Sequence, residues 1–406
     1  MVDRGIALFS RGRAAPAASR RTLVLVYALI FLNSMQFIGM VAVAPTYADD
    51  LDLSKFQTGL IFAVSGLATA VAAIPIGLFA DRLGARRVTL TGATIVSAAL
   101  VLQGLAPSLP WLLVARVAIG MGFTAVLAAG PAWVAESTAP ERRPAATAAL
   151  MPVAGLGLLV GPTLAGTLTD AFGRATPMLL FCALVATCVG ALLLSPPGGS
   201  EPHGHNPVLQ TFTRGRSSVL VLAALLMFAT GVLGETVSGV LGPLRLDHNG
   251  LSASAIGGIL SAGAGALIVV SLLMTRHARR VITLPAATAT MATLGVMLAL
   301  LAVSGDTVPT AVGLILRTAA LGAIYTIAFP FASMGADAVG IGSGAVYASM
   351  QLVAGLSNGI GPLAAGKIGE TAGDSVAYGI TVVACAAAAA WLAQQSRKQR
   401  RERTPA

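Results

Sequence analysis

The sequence predicts an all-α integral membrane protein, with twelve transmembrane helices in two pseudo-symmetric six-helix bundles. Three observations predict it. Of the 406 residues, 56% are hydrophobic and only 10% are charged, where a soluble domain carries about 25% charged residues. The chain holds twelve apolar runs, each near the roughly 20 residues that a helix needs to cross a bilayer. The first half of the chain also recurs in the second. Arg116 aligns with Arg317 and Glu136 with Asp337, both at an offset of 201. Gly155, Gly161, Pro162 and Gly166 align with Gly355, Gly361, Pro362 and Gly366, at an offset of 200. Two six-span halves of like orientation are related by an axis along the membrane normal, with a substrate path between them.

The spans are expected at 22–44, 57–79, 88–106, 110–135, 144–168, 176–195, 218–242, 254–275, 282–303, 308–332, 344–368 and 374–394. The chain then divides into an N-tail (1–21), an N-terminal six-helix bundle (22–195), a linker (196–217), a C-terminal six-helix bundle (218–394) and a basic C-tail (395–406). With both termini in the cytoplasm, twenty of the 26 basic residues fall in inner segments. Four fall in outer ones: Lys55, Arg174, Arg245 and Lys367. Short loops rich in Lys and Arg stay inside, so this bias sets the orientation in a plasma (cytoplasmic) membrane. It also accounts for the net charge of +10 without nucleic acid. The basic N-tail leads into a full span, so no cleavable signal is expected. Cys182, Cys188 and Cys385 lie in apolar runs and suggest neither disulfides nor a metal site. His203 and His205 in the linker lack the further ligands that a metal needs.

The turn between the second and third spans, Gly77 to Arg87, carries Asp81 among Arg82, Arg86 and Arg87. Orientation alone does not require an acid there. Asp81 is expected to accept from Arg86 and from a neighbouring helix N-terminus, with Glu136 near the same surface. Such a cluster would latch the cytoplasmic side shut and release when the halves rock. Gly84 allows the positive φ of a tight turn, with Gly77 one helical stretch before it. The glycines Gly157, Gly161, Gly166 and Gly361 allow close helix contact, and Pro162 and Pro362 bend or weaken their helices.

Arg116, Glu235 and Arg317 are the charges deepest in the spans. A charge at the bilayer centre costs at least ~2.5–3.5 kcal/mol, so each is a candidate functional residue. Counted at helical rise, all three fall in the outer half and are able to pair. Glu235 is the sole deep carboxylate. Burial favours its neutral form and a nearby arginine its charged form, which suits a proton carrier; a static ion pair is the plainer alternative. Asn33 and Gln36 share one face of the first span, and Gln351 and Asn358 one face of the eleventh. With Thr124, Met227 and Tyr325 they are candidates to line the substrate path, or simply to bond helices together.

These residues resemble the major facilitator superfamily over 22–394. The turn from Gly77 to Arg87 is similar to that family's G-x-x-x-D-R-x-G-x-R-R signature, and Arg116-x-x-x-Gly120-x-Gly122 to its fourth helix. Gly157-x-x-x-Gly161-Pro162-x-x-Ala165-Gly166 looks like the fifth-helix signature of proton-coupled exporters, so the nearest group is the twelve-span drug:proton antiporters. Ala85 stands where the family often has Arg, which leaves a charge relay in the loop to Arg82 or Arg86. Exporters of the group often have an acid in the first span. Here Asn33 and Gln36 stand instead, so proton duty falls on Glu235, with Arg116 and Arg317. The expected function is a proton-coupled exporter of small, largely hydrophobic compounds by alternating access. The expected partners are a small-molecule substrate and membrane lipid, with no nucleic acid; protons are the coupling ion, no other cofactor is expected, and the chain acts as a monomer. A sugar or organic-anion permease, with Arg116 and Arg317 binding substrate, is the alternative; a lipid-handling or receptor-like protein without ion coupling is a third. Nothing suggests an enzyme, since no nucleophile–base set is visible.

Overall fold

The computed structural model describes residues 20–139, 142, 146, 149–195, 218–340 and 343–403. The linker 196–217, with His203 and His205, and most of the N-tail lie outside the described residues. Twelve long helices are described: α1 (Arg20–Asp50), α2 (Lys55–Leu83), α3 (Ala85–Gly104), α4 (Leu109–Glu136), α5 (Leu150–Phe172), α6 (Ala175–Leu193), α7 (Val219–His248), α8 (Ala253–Arg276), α9 (Leu284–Val303), α10 (Thr307–Ala338), α11 (Ser343–Thr371) and α12 (Asp374–Arg403). A single helical turn, Ala278–Val281, precedes α9. Eleven of the twelve are long and apolar enough to cross a membrane. The remaining one, α11, is as long but carries Gln351, Ser357, Asn358, Lys367 and Glu370. The chain is a multi-pass membrane protein.

Several helices outrun their apolar cores. α1, α7 and α10 extend to Asp50, His248 and Ala338, running on past Pro45, Pro243 and Pro330. Residues 395–403 continue α12, since Gln, Lys and Arg are good helix formers. α5 is described from Leu150 rather than 144. Caps set the other ends. Ser54 and Gln57 form a reciprocal capping box at the start of α2, which satisfies two orphan amides of the first turn. Gly84 ends α2 at φ 87°, a conformation that strains residues with a Cβ.

Each half has its own core. One buried apolar cluster draws on residues from Val26 to Leu192, the other on residues from Val221 to Leu392. Two seams join the halves, α2 against α11 and α5 against α8. The glycine–proline stretches show how the helices share these duties. A Cβ on Gly157 or Gly161 would strike the α1 backbone at Phe31 or Met35, and one on Gly361 would strike Thr236 of α7. These three glycines therefore face their own half. The cross-half contacts belong to the neighbouring residues. The Pro162 carbonyl abuts Gly257 and the Pro362 carbonyl abuts Gly59, while Gly166 meets Ala253 and Gly366 meets Lys55. The twofold repeat is thus preserved contact for contact.

Gly161→Val should lower the thermal unfolding midpoint in detergent, since overpacking a tight contact costs about 1–3 kcal/mol. Gly77→Ala, at a position with no atom within 4 Å of a new Cβ, should leave the midpoint in place. Equal midpoints for Gly161→Val and the wild type would mean that the α1–α5 approach is not close-packed.

Candidate functional site

Glu235 on α7 and Arg317 on α10 form an ion pair, Glu235 Oε2 to Arg317 Nη1. The same Nη1 donates to the Glu235 backbone carbonyl at 3.2 Å. The Arg317 side chain is 1% exposed and that of Glu235 is 26% exposed. The cation is therefore buried, while the carboxylate side chain is partly exposed. Beside them lies an aromatic cluster: Phe228 sits 5.5 Å from Tyr325 and 5.8 Å from Phe329, ring centroid to centroid. The neighbouring turns of α7 bind α11, with Thr236 donating to the Ser357 carbonyl and Ser357 to the Ala229 carbonyl. The carboxylate's helix is thus tied directly to a helix of the seam.

Arg116 does not join this pair. It is 1% exposed, and its Nε donates to the Ile61 carbonyl of α2 at 3.3 Å. The rings of Phe37 and Phe62 lie 5.7 and 5.4 Å from its guanidinium carbon. Such cation–π contacts contribute roughly 0.5–2 kcal/mol each.

The expected path-lining residues divide. Asn33 and Gln36 are buried. Asn33 Nδ2 approaches the Phe123 carbonyl at 3.5 Å, and Gln36 Nε2 donates to the Asn33 carbonyl at 3.1 Å. Thr124 is buried and bonds its own helix at the Gly120 carbonyl. Met227 corrects the expectation: at 0% exposure it belongs to the apolar core of the C-terminal half, because α7 turns that side toward its own bundle. Tyr325 is half-buried within the aromatic cluster. Gln351 is exposed and lies one turn from Gly355, which abuts Ala70 across the seam. Asn358 is half-buried, its backbone against Gly66 of α2.

The expected latch lies only partly within the described residues. Arg86 donates to the carbonyls of Leu192 and Ser195, both at 3.1 Å. It therefore caps the C-terminus of α6, where the orphan carbonyls of a helix end attract a cation. The side chain of Asp81 lies outside the described residues. Arg82 is exposed, Gly77 is open, and Glu136 closes α4 half-buried.

At the opposite end of the bundle, the Lys55 end, stand features that the sequence reading missed. The Asp170 carboxylate accepts from the amides of Ala253 and Ser254, at 3.1 and 2.9 Å. The Glu370 carboxylate accepts from the amide of Phe56 at 3.0 Å. Each carboxylate ends a seam helix and caps the N-terminus of a helix in the other half, where the dipole favours an anion. Asp170 and Glu370 stand 200 residues apart, four beyond Gly166 and Gly366. Carrying the glycine repeat one turn further finds them.

Two clamps brace the same end. Arg174 pairs with Asp50 at 3.0 Å, stacks on Tyr47 and donates to the Ala106 carbonyl at the end of α3. Arg245 pairs with Asp374 at 3.5 Å, stacks on Tyr378 and donates to the Leu301 carbonyl near the end of α9. The arginine lies at the start of α6 in one half but on α7 in the other, so no fixed offset reveals the match. The second clamp also crosses between halves, because Lys55 binds Asp374 at 2.8 Å.

Comparison with known proteins agrees with this architecture. The profile of the Major Facilitator Superfamily matches residues 26–357. The chain belongs to that family. The multidrug resistance protein MdtG of Serratia proteamaculans is 25% identical over 235 residues, 55% of this chain and 56% of its own length. The lincomycin resistance protein of Streptomyces lincolnensis is 31% identical over 57% of this chain and 49% of its own length. The chain thus spans about half the length of the curated relatives it matches. A bacterial homologue of the human lysosomal transporter Spinster, in an inward-facing and occupied conformation, shares the fold at TM-score 0.73 and 17% identity, covering 95% of this chain and 98% of its own. A POT family transporter in complex with 5-aminolevulinic acid does so at TM-score 0.74 and 15% identity, covering 95% and 99%. Both structural neighbours carry transporter names in their own right.

Removing both cross-half caps with Asp170→Ala and Glu370→Ala should loosen the Lys55 end. A thiol placed at Thr163, in the α5–α8 seam, with the native cysteines replaced by alanine, should then react several-fold faster with an impermeant maleimide. An unchanged rate would show that the two carboxylates do not hold that end shut.

Proposed function

We propose that the chain is a proton-coupled secondary active exporter of small, largely hydrophobic compounds, working by alternating access. The pairing of Glu235 with the buried Arg317 carries this reading. A deep carboxylate held by a cation changes the balance of charge in its bundle when it takes up a proton, and it sits on a helix bonded to the seam. With the Lys55 end outside and both termini cytoplasmic, the structure corresponds to a state sealed toward the outside. Ionised Glu235 then holds Arg317 while the path faces the cytoplasm. Protonation from outside releases Arg317, weakens substrate binding and favours the return; loss of the proton inside resets the site.

In this reading Asn33, Gln36, Thr124, Tyr325, Gln351 and Asn358 contribute to the path, and Arg116 supports coupling. Asp81, Arg82 and Glu136 act at the cytoplasmic end in the opposite state. The plasma membrane is the location, the monomer is the working unit, and protons replace any nucleotide or bound cofactor as the source of energy. The names of the multidrug resistance relatives support export. A permease for organic anions is the second reading, favoured by the lack of an acid against Arg116 among the described residues.

In proteoliposomes with an imposed pH gradient, Glu235→Gln should abolish proton-driven transport while leaving counterflow of a bound compound measurable. Full pumping by that variant would remove Glu235 from the coupling step.

A further inference from the structure

Arg116 and Arg317 occupy equivalent places in the repeat but meet different surroundings. Arg317 has a carboxylate against it. Among the described residues Arg116 has none, and its Nη1 is buried without an acceptor. Three more buried polar atoms near it lack partners: Asn33 Oδ1, Gln36 Oε1 and Ser65 Oγ. They form one neighbourhood. Ser65 stands one turn from Ile61, which accepts from Arg116, and the Ser65 backbone abuts Gly120, one turn from Arg116. Gln36 adjoins Phe37, and Asn33 lies one turn before it. Phe37 stacks on Phe123 with centroids 4.2 Å apart. Phe37, Phe62 and Phe123 are each partly exposed, so a phenyl wall covers a buried polar floor.

We propose that this part of the N-terminal half binds the anionic group of an aromatic acid. The inference rests on the transport reading above and names its substrate class. The guanidinium offers a carboxylate a planar, charge-assisted fork. The phenyl faces take the ring of the same compound, and the Asn33 and Gln36 carbonyl oxygens accept from its hydroxyl or amino substituents. Because Arg116 is almost fully buried, the carboxylate reaches it after Phe37 or Phe62 turns aside. A cationic drug has no counterpart here, since α1 presents amides rather than an acid.

The test uses the full chain in nanodiscs and three probes: salicylate, its neutral amide salicylamide, and benzyltrimethylammonium. Salicylate should raise the thermal midpoint in a saturable way, with little or no effect from the other two. Arg116→Gln should abolish that rise and Arg116→Lys should reduce it. Because the comparison of probes needs only the wild type, the test survives a variant that fails to fold. Equal stabilisation by salicylate and salicylamide, a preference for benzyltrimethylammonium, no response to salicylate or to the larger 1-naphthoate, or an unchanged response in Arg116→Gln each overturns the proposal. Loss of proton-driven transport in Glu235→Gln without any salicylate binding by the wild type sinks this inference alone. Salicylate binding with full pumping by Glu235→Gln sinks the proton reading alone.

Discussion

A charge in hydrocarbon must find a partner or be given up, and much of this molecule follows from that constraint. The chain places three charges deep in its spans. Glu235 and Arg317 answer each other within the C-terminal half. Arg116 settles for a carbonyl and two phenyl faces. Breaking a buried pair by removing one partner costs about 3–5 kcal/mol, because the other charge is stranded. A proton arriving at Glu235 does the same chemically, and it does so on a helix hydrogen-bonded to the seam. On the proposed reading, uptake of a proton and movement of the halves are linked through ordinary electrostatics.

Such movement also needs two rigid bodies and a joint that can yield. Each half buries its own apolar core, so it keeps its shape without the other. Between them, glycines let backbones meet directly, with few long side chains to disentangle. The carboxylate contacts between halves stand at the Lys55 end, where Asp170 and Glu370 cap helices of the opposite half and Lys55 reaches Asp374. They rely on helix ends and ionic contacts, which water can replace when that end opens. That makes the closed state definite without making it permanent.

Much of the fold was legible in the sequence because its signals are long. Apolar runs and a 200-residue repeat survive any doubt about single side chains. The pairing of Glu235 with Arg317 was legible as a possibility, since both charges lie at comparable depth. Short-range geometry was less so. Arg86 binds the carbonyls ending α6, acceptors that the sequence does not single out. Met227 read as a lining residue because composition does not reveal which way a wholly apolar helix is turned. The carboxylates at 170 and 370 resemble ordinary solvated helix ends until their depth in the repeat is followed one turn further. The two arginine clamps are hidden more completely, because the cation stands at the start of α6 in one half and on α7 in the other.

The central claim is that Glu235 gains and loses a proton while its arginine partner stays in place. Infrared difference spectroscopy of the purified protein across a pH step tests it without any substrate. The account predicts that lowering the pH yields a protonated-carboxyl band from a membrane-buried group, present in the wild type and missing in Glu235→Gln. Identical difference spectra from the two proteins would contradict it.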